Sequence, residues 1–374
     1  MRTARIKVEG QTAVYHCISR CVGGMFLLKD KEKEVLRKQI WQVAEFCGVE
    51  VITYAIMSNH FHILVRVPLD ENKKNISDVE LVRRFALLYP KKPAMAATLQ
   101  STLSKGGVEA EYERQKAFKR MGDVSFFMKE LKQRFTIWYN KSRAAQENEG
   151  KTRYGTVWAE RFKSVLMENS EAALAAVAAY IDLNCVRAKL VSDPKDYRWC
   201  GYGEAVAGSK KAQSGLKAIY DRVRWDATQR VYRTLLVMKG AQVTKAQVRT
   251  KRGQGGERFA GSAVASYDPE QVKKVVAEGG RLSLPQVLRC RVRYMSDGAV
   301  LGSKEFVDAW FRQLKAQKQR EKEQARRKGI SQQKLNDTKL YPTYENRTSA
   351  SRKMIGADWG DLTVFRDLKN NVFS

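Results

Sequence analysis

Residues 60–67, HFHILVRV, divide cleanly between two faces. A strand sends successive side chains to opposite sides, so Phe61, Ile63, Val65 and Val67 form one apolar stripe while His60 and His62 share the other face. Pro68 ends the run. The preceding residues limit the fold further. Residues 12–21, TAVYHCISRC, alternate as a strand does. Residues 31–47, KEKEVLRKQIWQVAEFC, place Val35, Ile40, Val43, Ala44 and Cys47 on a helical period, and Gly48 is positioned as the C-cap. The β-branched stretch VEVITYAIM follows, and Ser58-Asn59 turns the chain back into residue 60. Strand, helix, strand, strand in this order opens a ferredoxin-like α+β sandwich.

Residues 69–124 are polar and lysine-dotted, with Gly106-Gly107 inside them, and read as an insertion of short helices and loops. Residues 125–144 form an amphipathic helix with Ser125 as the expected N-cap. A strand is expected over about 162–168, then a helix capped by Ser170 with Glu171 in its first turn, running through AALAAVAAYIDLNCVRAKLV. The expected fold is an antiparallel sheet of four or more strands with helices on one face, making residues 1–207 one catalytic domain with 69–124 inserted. After 207 the composition changes. GSKKAQSG reads as a linker, residues 216–250 as one or two helices, and KRGQGGERFAGSA as a flexible basic segment. Residues 268–315 read as a small helical unit and 312–330 as a basic arm. The region 208–330 is therefore expected to be a basic, mostly helical accessory unit, with 331–374 unassigned. No internal repeat is evident.

With 69 Lys and Arg against 40 Asp and Glu, the net charge is +29. Such an excess repels itself in a compact molecule and calls for a polyanionic partner. No uninterrupted apolar stretch reaches membrane-spanning length, and MRTARIKVEGQ has no apolar run after its basic residues. A cytoplasmic, nucleoid-associated, nucleic-acid-binding protein is the resulting expectation. The six cysteines, Cys17, Cys21, Cys47, Cys185, Cys200 and Cys290, form no CxxC pair and read as buried thiols.

Two neutral imidazoles on one sheet face are half of a divalent-cation site, and His60 and His62 are two of only three histidines. The same pattern also fits an ordinary polar strand face. Tyr180 and Asn184 stand four apart on the expected helix and so share a face. A tyrosine beside a metal is a covalent nucleophile, and an amide oxygen can serve as a ligand. A core aromatic in an alanine-rich helix reads equally from the residues alone. His16 on the first strand reads as a hydrogen-bonded structural histidine. Trp158, Trp199 and Tyr202 read as core aromatics, with base stacking as the alternative.

Four ordered segments carry a family resemblance: YHCISR, MSNHFHILVRVP, GTVWAERFKSVLME and YIDLNCVRAKLVSDPKDYRWCGYGEA. Over about residues 10–205 the chain resembles the single-tyrosine HUH transposases of the insertion-sequence-200-like type, in the branch associated with repetitive extragenic palindromes. HUH denotes His, hydrophobic, His. Two departures stand out: Cys185 occupies a position where proline is usual, and Cys200-Gly201 replaces a serine pair.

The resemblance implies an HUH nuclease fold with His60 and His62 as metal ligands, Tyr180 as nucleophile and Asn184 as a further ligand. The metal would be Mg²⁺ or Mn²⁺. It also implies single-stranded or hairpin DNA as the substrate, a 5′-phosphotyrosine intermediate, and a monomer or homodimer. Arg161, Lys163, Arg187 and Lys189 flank these positions as expected DNA phosphate contacts. Consistent with covalent conservation of the phosphodiester, no GxxxxGK[ST] loop is present. Two other readings fit the residues: a non-catalytic hairpin-binding protein derived from a transposase, and a phosphodiesterase in which water attacks.

Overall fold

A computed structural model describes residues 6–8, 10–69, 76–146, 154–221, 224–237, 282–283, 294–297, 299–327, 351–353, 357–358 and 362–365. The architecture is α+β. The chain packs into two compact units, Val8–Lys163 with Val191–Thr228, and Met1–Lys7 with Ser164–Leu190 and Gln229–Ser374. Neither follows the change in composition at residue 207.

In the first unit the expected order appears as β1 (Ala13–Arg20), α1 (Asp30–Cys47), β2 (Glu50–Ile56) and β3 (His60–Val67). β3 pairs antiparallel with both β1 and β2. Gly48, at φ 62°, ends α1 in a left-handed conformation that puts its N–H on the carbonyls of Ala44 and Glu45. The insertion folds as three short helices, α2 (Asp78–Leu88), α3 (Pro93–Lys105) and α4 (Gly107–Phe118), followed by α5 (Val124–Gln146). The cap of α5 is Asp123 rather than Ser125: its Oδ1 accepts from the N–H groups of Ser125 at 2.5 Å and Phe126 at 3.1 Å. A carboxylate there answers both the orphan donors and the positive helix end.

Register sets the two faces of this sheet. Tyr15, Cys17 and Ser19 stand opposite Val65, Ile63 and Phe61. On that face Trp158 meets Phe61 edge-on with ring centroids 5.2 Å apart and Phe135 of α5 at 5.4 Å. Phe61, Ile63 and Val65 are fully buried.

Residues 194–217 close the β2 side of the sheet. Ile56 N–H donates to the Trp199 carbonyl at 2.9 Å, and Tyr197 Oη donates to the Ile56 carbonyl at 2.7 Å. The stretch read as a linker is instead a helix, Lys210–Lys217, with Ser209 at its N-cap. Its Gly215 allows the close approach, since a Cβ there would lie 2.2 Å from the Val51 carbonyl oxygen. Beneath the preceding helix, Gly201–Val206, the buried Glu204 carboxylate accepts from Tyr54 Oη at 2.5 Å, from Trp41 Nε1 at 2.9 Å and from the Arg37 guanidinium. Burial first, and the negative charge of Glu204 second, push the Tyr54 hydroxyl well above the usual tyrosine range.

The second unit contains β4 (Lys163–Met167), α6 (Glu171–Asp182), α7 (Asn184–Arg187), β5 (Leu282–Ser283), β6 (Val300–Ser303), β7 (Ser351–Lys353), β8 (Ala357–Asp358) and β9 (Leu362–Phe365). β6 and β9 pair antiparallel, as do β7 and β9, but β4 and β6 pair parallel through Leu166↔Val300 and Met167↔Leu301. The wholly antiparallel expectation fails here because more than a hundred residues separate the two strands, and parallel pairing needs only a long crossover. β6 itself lies in a stretch read as helical. Glu168 ties the pair to the helix Lys304–Arg327: its carboxylate accepts from Ser303 N–H at 2.6 Å and Ser303 Oγ at 3.0 Å. Ser303 Oγ in turn accepts from Phe306 N–H at 3.2 Å, capping that helix. Ser170 stands at the N-cap of α6, but its side chain makes no capping bond. The glycine-rich basic segment 251–263, most of 268–293 and residues 328–350 lie outside the described residues.

Candidate active site

All three histidines meet on one face of the first unit's sheet. His60 and His62 are two apart on β3, and His16 on β1 stands opposite Leu64, one residue pair along on the same face. The ring centroids of His60 and His62 are 5.1 Å apart and those of His16 and His62 are 5.0 Å apart. His62 is 4% exposed and His16 fully buried, whereas His60 is half-buried.

Both candidate ligands have their Nδ1 atoms engaged. His60 Nδ1 lies 2.7 Å from Asn59 Oδ1. The Asn59 amide is oriented by its own bond, Nδ2 donating to the Gly24 carbonyl at 3.2 Å, so the oxygen faces the imidazole. His60 Nδ1 is therefore the donor, and Nε2 carries the lone pair a cation would take. His62 Nδ1 lies 2.8 Å from His16 Nε2. A bond that fixes one ring nitrogen while the other ligates is the usual outer support of a metal-binding histidine. The donor set thus fits a divalent cation at His60 and His62. Among the described residues, no group of three or more His, Cys, Asp or Glu side chains is placed to hold one. Among those residues, any further ligand would be of another kind, such as an amide oxygen.

Tyr180 and Asn184 belong to the second unit. The single helix expected to carry both ends at Asp182, passes through Leu183 and resumes as the short α7 at Asn184. Tyr180 is 6% exposed. Arg187 folds back onto it: the guanidinium carbon lies 4.1 Å from the Tyr180 ring centroid, and Nη2 donates to the Tyr180 carbonyl at 2.6 Å and to Asn184 Oδ1 at 2.8 Å. A guanidinium over a desolvated ring contributes roughly 2 kcal/mol. Asn184 Nδ2 is buried with no hydrogen-bond partner. Below the Tyr180 turn, Asp182 is fully buried and accepts from Tyr232 Oη at 2.6 Å.

The four residues expected to contact phosphate differ in placement. Arg161, Lys163 and Lys189 are exposed, whereas Arg187 is 6% exposed. Lys189 also has a positive φ of 56°. Trp158 and Tyr202 are core residues at 4% and 1% exposure. Trp199 is half-buried, with Lys33 Nζ 4.5 Å from its ring centroid. The five described cysteines are buried thiols, and burial pushes Cys21 and Cys47 up to about 12.

Sequence reasoning named Asn59 only as a turn residue and Arg187 only as a phosphate contact, and missed the support each gives a neighbouring side chain. The first could have been suspected from its place beside His60, the second only from a stacking contact that no spacing announces. It also passed over a cavity of about 660 Å³ beside Ser58, whose lining includes Phe26, Lys29, Lys31, Glu32, Lys33 and Arg143. Four cations line it against two carboxylates, Glu32 and Asp30.

Residues 11–79 match the family model described as transposase IS200 like. The chain carries an IS200-like transposase segment. His16, Asn59, His60 and His62 fall inside it; Tyr180 and Asn184 lie beyond its end. A solved structure described as a REP-associated tyrosine transposase bound to a REP hairpin is similar at 16% identity, over 56% of this chain and 86% of that one, with a TM-score of 0.33. No curated protein matches the chain. Among the described residues, no helix is long and apolar enough to cross a membrane.

Proposed function

We propose that this protein is a transposase that nicks and rejoins single-stranded DNA at hairpins through a 5′-phosphotyrosine on Tyr180. The observation that carries the reading is the histidine pair: inside the IS200-like segment, His60 and His62 share one strand face and each has its Nδ1 engaged. The choice of Tyr180, and of a hairpin substrate, rests on the sequence motifs that place YIDLNCVRA after that pair.

In this mechanism His60 and His62 would hold a Mg²⁺ or Mn²⁺ ion, with Asn184 as a further candidate ligand. When bound, the ion supplies Lewis-acid polarisation of the scissile phosphate. Tyr180 Oη loses its proton and bonds to phosphorus as the bond from phosphorus to the 3′ oxygen breaks. That leaves the DNA 5′ phosphate on the protein and a free 3′ hydroxyl. The reverse attack by a 3′ hydroxyl restores Tyr180 and the phosphodiester without a nucleotide cofactor. Arg161, Lys163 and Lys189 are exposed cations that would meet backbone phosphates, and Lys29 and Lys31 at the cavity beside Ser58 would add to them.

The test is a labelled pool of DNA hairpins with randomised single-stranded flanks, incubated with Mn²⁺. The expected result is a protein–DNA adduct that survives denaturant, requires metal and vanishes in Tyr180→Phe. A second reading, a non-catalytic hairpin-binding protein, is favoured by the burial of Tyr180 at 6% exposure. Hairpin binding that survives EDTA, with no adduct under either metal, would establish that reading. Cleavage without an adduct, undiminished in Tyr180→Phe, would instead assign the attack to water.

A further inference from the structure

Arg187 is one of four cations expected to touch DNA, yet its surroundings suit a different task. Its side chain is buried. Its guanidinium carbon lies 4.1 Å from the Tyr180 ring centroid, while Nη2 reaches the Tyr180 carbonyl at 2.6 Å and Asn184 Oδ1 at 2.8 Å. Three groups on two turns of chain are thereby held by one rigid fork.

The break at Leu183 explains why such a fork is needed. Helix α6 ends at Asp182, so the Tyr180 carbonyl belongs to the last turn, where acceptors lack regular helical partners. A cation placed there satisfies an acceptor and opposes the negative helix end. Without it, the Tyr180 backbone and ring sit on a helix terminus, the part of a helix most prone to fray. A guanidinium can lie against a ring while one of its nitrogens donates to two oxygens, which a mobile ammonium does less well.

We infer that Arg187 is a positioning residue for the attack, fixing the Tyr180 ring and the Asn184 amide rather than gripping DNA. The inference rests on the reading of Tyr180 as nucleophile. A nucleophile must be held close to its line of attack, and loosening it lowers the rate of bond formation without altering how the substrate is bound.

Three measurements on the full-length protein test this. The first is the single-turnover rate of adduct formation at saturating hairpin DNA, using the pool member that reacts fastest. Arg187→Met is expected to slow it by roughly 10- to 100-fold, with Arg187→Lys recovering only part. The second is hairpin affinity across a salt series. Unchanged affinity and salt slope are expected for both variants; a slope reduced by roughly one would mark a phosphate contact and overturn the inference.

The third needs no turnover: 3-fluorotyrosine is installed at position 180 and its fluorine resonance followed. Arg187→Met should shift and broaden that resonance while the thermal midpoint shows a folded chain, and Arg187→Lys should leave it intermediate. A resonance unmoved in both variants would refute the contact. Tyr180→Phe, run in parallel, separates the two claims. If it abolishes the adduct while Arg187→Met reacts at the normal rate, the inference alone fails. An adduct that persists in Tyr180→Phe, or no adduct in the unmodified protein, overturns the underlying reading and this inference with it.

Discussion

The first unit holds its candidate residues by a lattice, the second by a few long-range contacts. His60 and His62 sit mid-sheet on a strand paired on both sides, and each ring has a hydrogen-bonding neighbour in Asn59 or His16. A slip of one residue would turn every side chain of β3 to the wrong face, so the buried stripe of Phe61, Ile63 and Val65 also fixes the histidines. Tyr180 instead occupies the last turn of a helix, with Arg187 folded over its ring and Asp182 anchored to Tyr232 fifty residues away. The histidine strand is held by many ladder bonds at once, whereas the Tyr180 turn is held by the few contacts of Arg187 and Asp182.

The largest expected effect lies where the first unit gathers several donors on one buried carboxylate. Replacing Glu204 with Leu leaves Arg37 paired with Glu34 but removes the acceptor shared by Tyr54, Trp41 and Arg37. Leaving donors such as the buried Tyr54 hydroxyl without an acceptor costs about 1–3 kcal/mol each, which chemical denaturation would register as a lower midpoint at unchanged slope. A loss below roughly 1 kcal/mol, the scale of an exposed pair, would show that residues 194–217 are not held to β2 through Glu204.

Next comes Asn59→Ala, aimed at the metal and not the fold. It removes the acceptor of His60 Nδ1 and should weaken Mn²⁺ binding by roughly 10- to 100-fold, measured by calorimetry, with the thermal midpoint nearly unchanged. Equal binding in the variant would mean that the sheet alone orients His60. The smallest effect is Tyr232→Phe in the second unit, which takes one donor from buried Asp182 and should cost about 1–3 kcal/mol. If the adduct rate falls far more than stability does, this anchor also aligns Tyr180.

Legibility in the sequence follows the same divide. Period-two alternation made β1 and β3 readable to within a residue, and Gly48 marked the end of α1. Side-chain direction in a strand is set by the backbone, so the shared face of His60 and His62 follows from their spacing alone. The helix carrying Tyr180 was also readable, but its break at Leu183 was not, nor was the return of Arg187 onto the ring. Those depend on contacts beyond the local pattern. GSKKAQSG misled for a physical reason: Ser209 and Gly215 look like linker residues, yet one sits at a helix N-cap and the other admits the carbonyls of β2. β6 was missed because its four residues are too short for a period to show, and its partner β4 lies far back in the chain.

Two assignments stand or fall together: Tyr180 as the nucleophile, and His60 and His62 as residues its attack depends on. Their most direct test is to digest the denatured protein–DNA adduct formed with Mn²⁺ and locate the nucleotide-bearing peptide by mass spectrometry. The account predicts a 5′-phosphorylated nucleotide on Tyr180, absent when His60 and His62 are both replaced by Ala. A nucleotide on any other residue, or an adduct that forms equally well without the two histidines, would contradict it.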